Sequence, residues 1–341
     1  MLTNCQEIMI TNKHLKNLNA YEVKIIPSHI KRLHANESSK PILPIKILQK
    51  DVFKNLNYYP ENQLLELDSW AENFYKIDQK YITHSNGSDE GLDLIIRSCC
   101  NKNDKCVVLN PTFSMYQLFA NASGLKVLEF DLDQEDFSLN IKKFIEFCQK
   151  IKPKIIFIPN PIAPTANKVE KNDLIELIKT LKNSFVVIDE AYIEFSNQES
   201  LINLVPKYKN LIVTRTLSKF FGLAAVRVGF VFSQYKNEIL KIKTPYNVNA
   251  ISAKIAINLF QNINQKIIKA RQKENNENKK ALINKLKKFQ ELDKIYDSHT
   301  NFIFFKLKNN AKSFAKKFLQ QKIKIKIFTG KFEKFCRITV E

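Results

Sequence analysis

Lys219 is the residue whose surroundings in the chain best fit a chemical role. It follows the β-branched run NLIVTRT at 210–216 and precedes Phe220 and Phe221, whereas most other lysines are scattered among polar residues. A lysine that apolar neighbours keep from water is suited to attack a carbonyl carbon and form a Schiff base. The sequence therefore offers Lys219 as a covalent anchor for an aldehyde.

Asp189 closes another apolar run and is a candidate partner for a cation. It follows FVVI at 185–188 directly, and we expect it to be at least partly buried, where a carboxylate needs a partner to stay ionised. Capping of the next element would also account for this residue. The functional alternative is a cationic group on a ligand, and Tyr192, three residues on, would bring a phenol to the same place.

Two further segments could bind a phosphate. Residues 86–91 read NGSDEG and open a helical pattern, where small and acidic residues ordinarily act as helix caps. The same geometry presents free backbone N–H groups, which suit an anion. Thr216, Ser218 and Arg227 lie close to Lys219 in the chain and add hydroxyl and guanidinium donors. A lysine for an aldehyde, a carboxylate for a cation and donors for a phosphate together describe pyridoxal 5′-phosphate.

Several of the candidate residues stand at or just beyond the ends of short apolar runs that predict β-strands. Strands that are apolar throughout, with helical patterns between them, predict an α/β fold whose mostly parallel sheet is covered by helices on both faces. Ligands in such sheets bind beyond the carboxyl ends of the strands, which is where Lys219 and Asp189 stand. The predicted strands cover residues 106–110, 126–132, 154–159, 185–191, 210–216 and 227–232.

The pattern changes at about residue 245. Long helical stretches follow, and then two alternating segments at 301–307 and 322–328. This order predicts a smaller α+β domain at the C-terminal end. We therefore assign residues 35–245 to a large cofactor-binding domain, and residues 1–34 and 246–341 to an N-terminal arm and a small domain.

Composition narrows the classes of function. The 341 residues are 44% hydrophobic and 26% charged, which is ordinary for a globular protein and excludes wholesale disorder. The net charge of +20 could indicate nucleic-acid binding, but the lysines are spread along the chain, so we expect no nucleic-acid partner. The six cysteines lack metal-binding spacing, and no signal peptide or membrane-length apolar run is visible. We expect a cytoplasmic protein without a metal site or a membrane partner.

In their order along the chain, these segments resemble the class I/II aminotransferases, which are pyridoxal-phosphate enzymes of fold type I, and among them the histidinol-phosphate aminotransferases. The resemblance runs from Tyr21 to Arg337, and it is specific because many motifs occur in the family's order. The motifs are ANE at 35–37, YYPENQ at 58–63, NGSDEGLDLIIR at 86–97, PTFSMY at 111–116, DEAYIEFS at 189–196, RTLSKFFGLAAVRVGF at 215–230, PYNVN at 245–249, NFI at 301–303 and RITV at 337–340.

The resemblance implies a role for individual residues. Lys219 would hold the cofactor as a Schiff base and act as general acid and base, Asp189 would pair with the pyridine nitrogen, and Tyr192 would bond the ring's 3′ oxygen. Tyr59 would reach a phosphate across an interface, which implies a homodimer with shared active sites. The remaining residues implied for the cofactor are Gly87, Ser88, Asp89, Phe113, Thr216, Ser218 and Arg227, and those implied for the substrate are Tyr21, Asn36, Lys326 and Arg337.

Three parts of the chain depart from the family pattern. Phe113 replaces a ring-stacking tyrosine, and Lys326 stands near the place of an arginine that would bind a substrate phosphate. Residues 160–166 read NPIAPTA where the family has NPNNPTG, so Ala163 replaces an asparagine that donates to the cofactor's 3′ oxygen. Losing a donor to a charged oxygen costs about 1.5–3 kcal/mol. We hypothesise that the lysine–cofactor linkage keeps its proton to higher pH and that α-carboxylate binding is weakened or rearranged.

The resemblance implies transfer of an amino group from an amino acid, with glutamate as the expected donor. The acceptor would be a small phosphorylated ketone, either of the imidazole-acetol-phosphate type or a smaller one such as dihydroxyacetone phosphate. The alternative is decarboxylation of an O-phospho-amino acid such as phosphoserine or phosphothreonine, since similar enzymes run that reaction on the same scaffold. The outcome depends on which bond at the substrate's Cα lies perpendicular to the cofactor ring.

Overall fold

The computed structural model describes Leu15, Leu18 and residues 25–341, and it contains two β-sheets. The strands among these residues are β1 (Lys31–Leu33), β2 (Ile82–Asn86), β3 (Lys105–Asn110), β4 (Lys126–Asp131), β5 (Ile155–Pro159), β6 (Phe185–Asp189), β7 (Leu211–Thr216), β8 (Val228–Phe232), β9 (Leu292–Ile295), β10 (Phe302–Leu307), β11 (Ile323–Ile327) and β12 (Phe335–Thr339).

Helices connect most of these strands. The α-helices are α1 (Ile45–Leu48), α2 (Glu61–Tyr75), α3 (Gly87–Cys99), α4 (Ser114–Ala122), α5 (Ile141–Ile151), α6 (Lys171–Thr180), α7 (Lys236–Leu240), α8 (Ala250–Asn262), α9 (Gln265–Leu286) and α10 (Ala311–Gln320). Short 3₁₀ turns lie at Gln79–Tyr81, Ile193–Phe195, Ile202–Leu204, Ala224–Val226 and Gly330–Phe332. None of these helices is long and apolar enough to cross a membrane.

The larger sheet has the mostly parallel arrangement that the sequence predicts. Its seven strands run in the order β2-β8-β7-β6-β5-β3-β4, and β8 pairs antiparallel with both of its neighbours. The other pairs, from β7 to β4, are parallel. The carboxyl ends of β5, β6 and β7 therefore lie side by side at one edge of the sheet.

Successive side chains of the central strands enter two different cores. On β5, Ile156 and Ile158 belong to one buried cluster, while Ile155 and Phe157 belong to the other. Helices α3 and α4 cover the second face, and α2, α5, α6 and α8 cover the first. Burial of a large apolar side chain contributes about 1.5–3 kcal/mol, so the two-faced core holds these strand ends firmly.

Strand β2 was not among the predicted strands, because its sequence ITHSN carries four polar residues in a row. The first three of these are nevertheless buried, since β2 pairs with β8 and its polar groups find partners. His84 Nδ1 lies 2.8 Å from Asp68 Oδ1, and His84 Nε2 lies 3.0 Å from Lys243 Nζ. Helix α3 begins at Gly87, within the segment 86–91 that opens the predicted helical pattern, and β6 ends at Asp189 rather than at residue 191.

The smaller sheet has five strands in the order β1-β11-β12-β10-β9. The two predicted alternating segments form β10 and β11, and β1 brings residues near the N-terminus into the same sheet. Helices α9 and α10 pack on it through a separate cluster that includes Leu286, Phe314 and Phe305. Helix α8, in contrast, packs on α2 in the core of the larger sheet through Phe260. The domain boundary at residue 245 stays a prediction.

Candidate active site

The carboxyl ends of the parallel strands open into a large cavity. It has a volume of about 1170 Å³, and residues of both sheets and of the loops after β5, β6 and β7 line it. Lys219, Asp189 and Tyr192 are among the lining residues, as are Ser88 and Arg227. The structure thus brings the predicted catalytic residues together with part of the predicted phosphate site.

The N-terminus of α3 and the start of β8 approach each other so closely that two positions require glycine. Gly87 begins α3 with a φ of +72°, and a Cβ atom there would lie 2.1 Å from Arg227 Nη2. A Cβ atom at Gly229 would lie 2.6 Å from the backbone nitrogen of Ser88. The first turn of α3, whose N–H groups have no partner within the helix, therefore lies against a guanidinium, an arrangement suited to an anion.

Hydroxyl groups after β7 complete this cradle. The Thr216 hydroxyl donates to Ser218 Oγ at 3.0 Å, and Arg227 Nη1 donates to the same oxygen at 3.3 Å. Arg227 Nη2 also pairs with Asp89 Oδ2 at 3.2 Å, but both side chains are about two-fifths exposed. An exposed ion pair of this kind contributes about 1 kcal/mol or less. A bound phosphate could therefore replace Asp89 as the partner of the Arg227 guanidinium with little loss of free energy.

Asp189 is a buried carboxylate at the end of β6. Its Oδ2 accepts a hydrogen bond from the Tyr116 hydroxyl at 2.7 Å, and its Oδ1 accepts from Thr214 Oγ1 at 3.0 Å and from the backbone of Ala191 at 3.2 Å. Burial raises the pKa of Asp189, and the hydrogen bonds from Tyr116 and Thr214 act in the opposite direction. The three donors fix the orientation of the carboxylate, and a cation in the cavity would stabilise its charge.

Lys219, Tyr192 and Asn36 form one wall of the cavity. Lys219 Nζ donates to the backbone oxygen of Ala35 at 3.2 Å and lies 6.0 Å from the centroid of the Tyr192 ring. The Tyr192 hydroxyl accepts a hydrogen bond from Asn36 Nδ2 at 2.9 Å. An amine able to react with an aldehyde thus lies close to a phenol whose position is fixed.

The loop after β5 forms a rigid and largely apolar wall. Asn160 Nδ2 donates to the backbone oxygen of Val169 at 3.1 Å, and Asn160 Oδ1 accepts from the Val169 N–H at 2.9 Å. The backbone oxygen of Ala166 accepts from the N–H of His299, which ties the loop to the segment before β10. Ala163 is buried and lines the cavity, so it presents a methyl group where the family pattern has an amide.

The smaller sheet supplies a positively charged wall. The pairing of β11 with β12 places Lys326 beside Arg337, whose Nη2 donates to the backbone oxygen of His34 at 2.8 Å. Burial, and then the charges of Lys324, Arg32, Lys326 and Arg337, lower the pKa of His34 to about 4. Burial also lowers the pKa of Lys326, with Arg337 and Lys324 adding to the effect. A wall that disfavours further positive charge favours an anionic ligand.

The remaining predicted site residues lie in different places. Phe113 lines the cavity, and its ring meets the edge of Tyr116 with the centroids 5.5 Å apart. Tyr59 is 74% exposed and stacks on Tyr246, away from the cavity of its own chain. Tyr21 lies outside the residues that the structure describes.

Sequence reasoning missed two residues that hold Asp189. Tyr116 lies at the end of a quoted motif, and Thr214 lies within the predicted strand before Lys219. Thr214 could have been found, because parallel β6 and β7 pair in a register that sets it opposite Asp189. Tyr116 reaches Asp189 from α4 across β5, and the spacing in the sequence gives no signal for that contact.

These groups fit pyridoxal phosphate, the cofactor that the sequence resemblance implies. The glycine-dependent cradle and Arg227 suit its phosphate, the buried Asp189 suits its protonated ring nitrogen, and Lys219 suits its aldehyde. The cradle is the more specific of these observations, since a side chain at Gly87 or Gly229 would collide with it.

Comparison with known proteins agrees with this arrangement. The family model "Aminotransferase class I and II" matches residues 30–341. A histidinol-phosphate aminotransferase of Clostridium novyi (strain NT) is 37% identical over 301 residues, which are 86% of this chain and 82% of that protein. The match to the family model therefore spans both sheets and every described residue of the cavity except Ile25 and Ile26.

Two solved structures show how the fold is shared. Histidinol-phosphate aminotransferase from Sinorhizobium meliloti, in complex with pyridoxal-5′-phosphate, has a TM-score of 0.86 at 17% identity, covering 98% of this chain and 94% of that one. L-threonine-O-3-phosphate decarboxylase from Porphyromonas gingivalis has a TM-score of 0.76 at 18% identity, covering 92% of this chain and 94% of that one. At these identities the fold alone is shown, and it is shared by both kinds of enzyme.

Proposed function

Since the chain belongs to the pyridoxal-phosphate-dependent aminotransferases of class I and II, we propose that it moves an amino group from an amino acid, with glutamate as the expected donor, to a small phosphorylated ketone. The observation that carries the proposal is the presence of Lys219, Asp189 and the Arg227 cradle in one cavity. The Clostridium novyi relative, a histidinol-phosphate aminotransferase, supports a phosphorylated substrate for this chain.

We assign the roles of the catalytic residues from their positions. Bound pyridoxal phosphate supplies an aldehyde that links to amines and a ring that withdraws electrons from the carbon beside the linked nitrogen. Lys219 Nζ would take the proton from the substrate's Cα and deliver it to the carbon of the cofactor's former aldehyde group. Asp189, held by Tyr116 and Thr214, keeps the ring nitrogen protonated, because a cation there stabilises the buried carboxylate. Tyr192 would donate to the ring's 3′ oxygen.

The cofactor phosphate and the substrate would occupy opposite ends of the cavity. Gly87, Ser88 and Asp89 at the start of α3, with Thr216, Ser218 and Arg227, would hold the phosphate, and Phe113 would lie against the ring. Asn36, Lys326 and Arg337 would face the substrate, together with Tyr21. The positive charge around Lys326 supports an acidic substrate, which either a phosphorylated ketone or glutamate provides.

We expect the Ala163→Asn variant to release the proton of the lysine–cofactor linkage at lower pH than the parent protein. The amide adds a donor near the ring's 3′ oxygen, and a hydrogen bond to a charged oxygen contributes about 1.5–3 kcal/mol, or roughly one to two pH units. A pH titration of the visible absorbance measures the midpoint. An unchanged midpoint would show that position 163 does not reach that oxygen. Ala163→Leu, which fills similar space without a donor, serves as a control for volume.

We also propose that two copies of the chain pair, each giving Tyr59 to the other's active site. Tyr59 is exposed and away from the cavity of its own chain, and it lies among other exposed apolar side chains. Several of these are on or next to α1 and α2, a face that would suit burial between copies. The exposed members of this face are Ile45, Phe53, Leu56, Tyr58, Tyr59 and Leu65.

Mixing two impaired variants tests the shared site. Lys219→Ala lacks the anchor, and Tyr59→Phe lacks the hydroxyl that would reach the partner's cofactor phosphate; we expect the latter to weaken cofactor binding about tenfold or more. Mixed dimers would contain one intact site, so a mixture refolded together at limiting cofactor should regain about a quarter of the parental activity. Recovery no greater than the sum of the two separate variants would contradict the exchange of Tyr59.

We propose the cytoplasm as the place of action. The described cysteines, Cys99, Cys100, Cys106, Cys148 and Cys336, form no disulfides with one another, and burial raises the pKa of each thiol. Protonated, sheltered thiols are suited to a reducing compartment.

A substrate comparison tests the proposed reaction. The protein, loaded with cofactor, would be given glutamate with imidazole-acetol phosphate or dihydroxyacetone phosphate, and separately O-phosphothreonine or O-phosphoserine alone. We expect 2-oxoglutarate and an amino phosphate from the first reactions and no carbon dioxide from the second. Release of carbon dioxide from a phospho-amino acid, without 2-oxoglutarate in the other arm, would assign the decarboxylation instead.

A further inference from the structure

We propose that Asn36 is a positioning residue that directs the hydrogen of the Tyr192 hydroxyl into the cavity, toward the ring oxygen of the cofactor. The inference rests on the proposed function, in which Tyr192 faces that oxygen. It assigns to the Asn36 side chain a role distinct from contact with the substrate. Three features of the wall support it: the direction of one hydrogen bond, the way Asn36 is held, and the identity of residue 163.

The direction of the hydrogen bond determines where the Tyr192 hydrogen can go. Asn36 Nδ2 donates to Tyr192 Oη at 2.9 Å, and both side chains are buried. A phenolic oxygen that accepts from an amide keeps its own hydrogen for another acceptor. Within the described residues, the Tyr192 hydroxyl donates to no protein group, so its hydrogen is available to an acceptor in the cavity.

Asn36 is fixed in place by its backbone. Its φ of +56° is in the left-handed region, its N–H donates to Thr339 Oγ1 at 3.2 Å, and its backbone oxygen accepts from Asn301 Nδ2 at 3.1 Å. Asn36 Oδ1 is buried and makes no hydrogen bond within the described part of the chain. The amide is therefore oriented by the bond to Tyr192, and its unused oxygen leaves room for a donor on a ligand.

The residue at position 163 makes this direction important. The Ala163 methyl group lies in the same cavity, so no side-chain donor comes from that position to the ring oxygen. Tyr192 must then supply the hydrogen bond alone. A donated bond from Asn36 also polarises the phenol, which strengthens the bond that the phenol itself donates.

Two substitutions at Asn36 separate direction from mere contact. Asn36→Gly removes the amide and keeps a residue that tolerates the left-handed backbone. Asn36→Asp replaces the amide donor with an acceptor, so the Tyr192 hydrogen turns toward the carboxylate and away from the ring oxygen. The readout is the pH midpoint of the visible absorbance of bound cofactor, with the dissociation constant of the cofactor measured alongside.

We expect Asn36→Asp to raise the midpoint by about one pH unit or more, the tenfold effect of losing one charge-assisted hydrogen bond. The loss raises the midpoint because that bond stabilises the negative ring oxygen of the deprotonated form. Asn36→Gly should raise it by less than about half a unit, since Tyr192 can still donate but is no longer polarised.

The same substitutions in a Tyr192→Phe background provide the control. A carboxylate at position 36 raises the midpoint there by its charge alone, so the shift caused by Asn36→Asp should be smaller without the hydroxyl. Equal shifts in the two backgrounds would overturn the proposal. They would show that the Tyr192 hydroxyl donates to Asn36 Oδ1 or that the two side chains do not interact. Failure of the parent protein to bind cofactor would instead contradict the proposed function, so the two failures can be told apart.

Discussion

The Lys219→Ala variant is expected to lose the covalent link to the cofactor and to transfer amino groups at least about a thousandfold more slowly than the parent. Lys219 is the lysine whose Nζ lies in the cavity beside Ala35 and Tyr192. Its loss removes both the anchor and the base at the substrate's Cα. Borohydride treatment followed by mass spectrometry of the peptides should find the cofactor on the Lys219 peptide of the parent and on no peptide of the variant.

Two further variants test whether loss of positive charge, or loss of any lysine, would explain the result. Lys219→Arg keeps a positive charge but cannot form the link, so it should be as inactive as the alanine variant. Lys241→Ala removes an exposed lysine outside the cavity and should leave both the link and the activity unchanged. A reducible cofactor band that survives in Lys219→Ala would place the anchor on another lysine and would refute the assignment.

Asp189→Asn should separate stability from activity. Removing one partner of a buried charge pair costs about 3–5 kcal/mol, so we expect a loss of activity on the order of a hundredfold to a thousandfold. Without cofactor, however, the variant should be as stable as the parent or more stable at neutral pH. Steady-state kinetics and urea unfolding of the cofactor-free protein measure the two effects.

The sign of the stability effect follows from the pKa of Asp189, which burial raises. Because the folded state then binds the proton more tightly than the unfolded state, the stability contributed by this group is present at low pH and is lost as pH rises through the folded pKa. At neutral pH, without a cofactor cation, the buried carboxylate charge of Asp189 lowers the stability of the folded protein. Asparagine removes that charge and still offers an oxygen that accepts from Thr214. Asp293→Asn, at an exposed ion pair with Lys306, should change neither quantity. Marked destabilisation of cofactor-free Asp189→Asn would contradict the account.

Much of the fold and site could be predicted because the relevant signals are local. Strands such as β5 and β7 are apolar on both faces, so their existence was visible in the sequence, and the residues following them had to meet at one edge of the sheet. Lys219 and Asp189 were identified in this way, and Arg227 by its closeness to Lys219 in the chain; the structure places all three in the cavity.

What could not be predicted depends on contacts between distant parts of the chain. The Tyr116 hydroxyl meets Asp189 across 73 positions of sequence, and Asn36 meets Tyr192 across 156. Strand β2 was missed because His84 is satisfied by Asp68 and Lys243, partners that only the folded chain brings together. The role of Tyr59 also cannot be read from a single chain, since the proposed role requires a second copy.

The most direct test of the central claim is a single turnover with glutamate. The cofactor-loaded protein, mixed with glutamate in the absence of an acceptor, should lose its visible band while forming about one 2-oxoglutarate per subunit. Adding a phosphorylated ketone should then restore the band and release the corresponding amino phosphate. Persistence of the band with glutamate and with every other amino acid tried, in protein shown to hold cofactor at Lys219, would contradict the account that this cavity catalyses amino transfer.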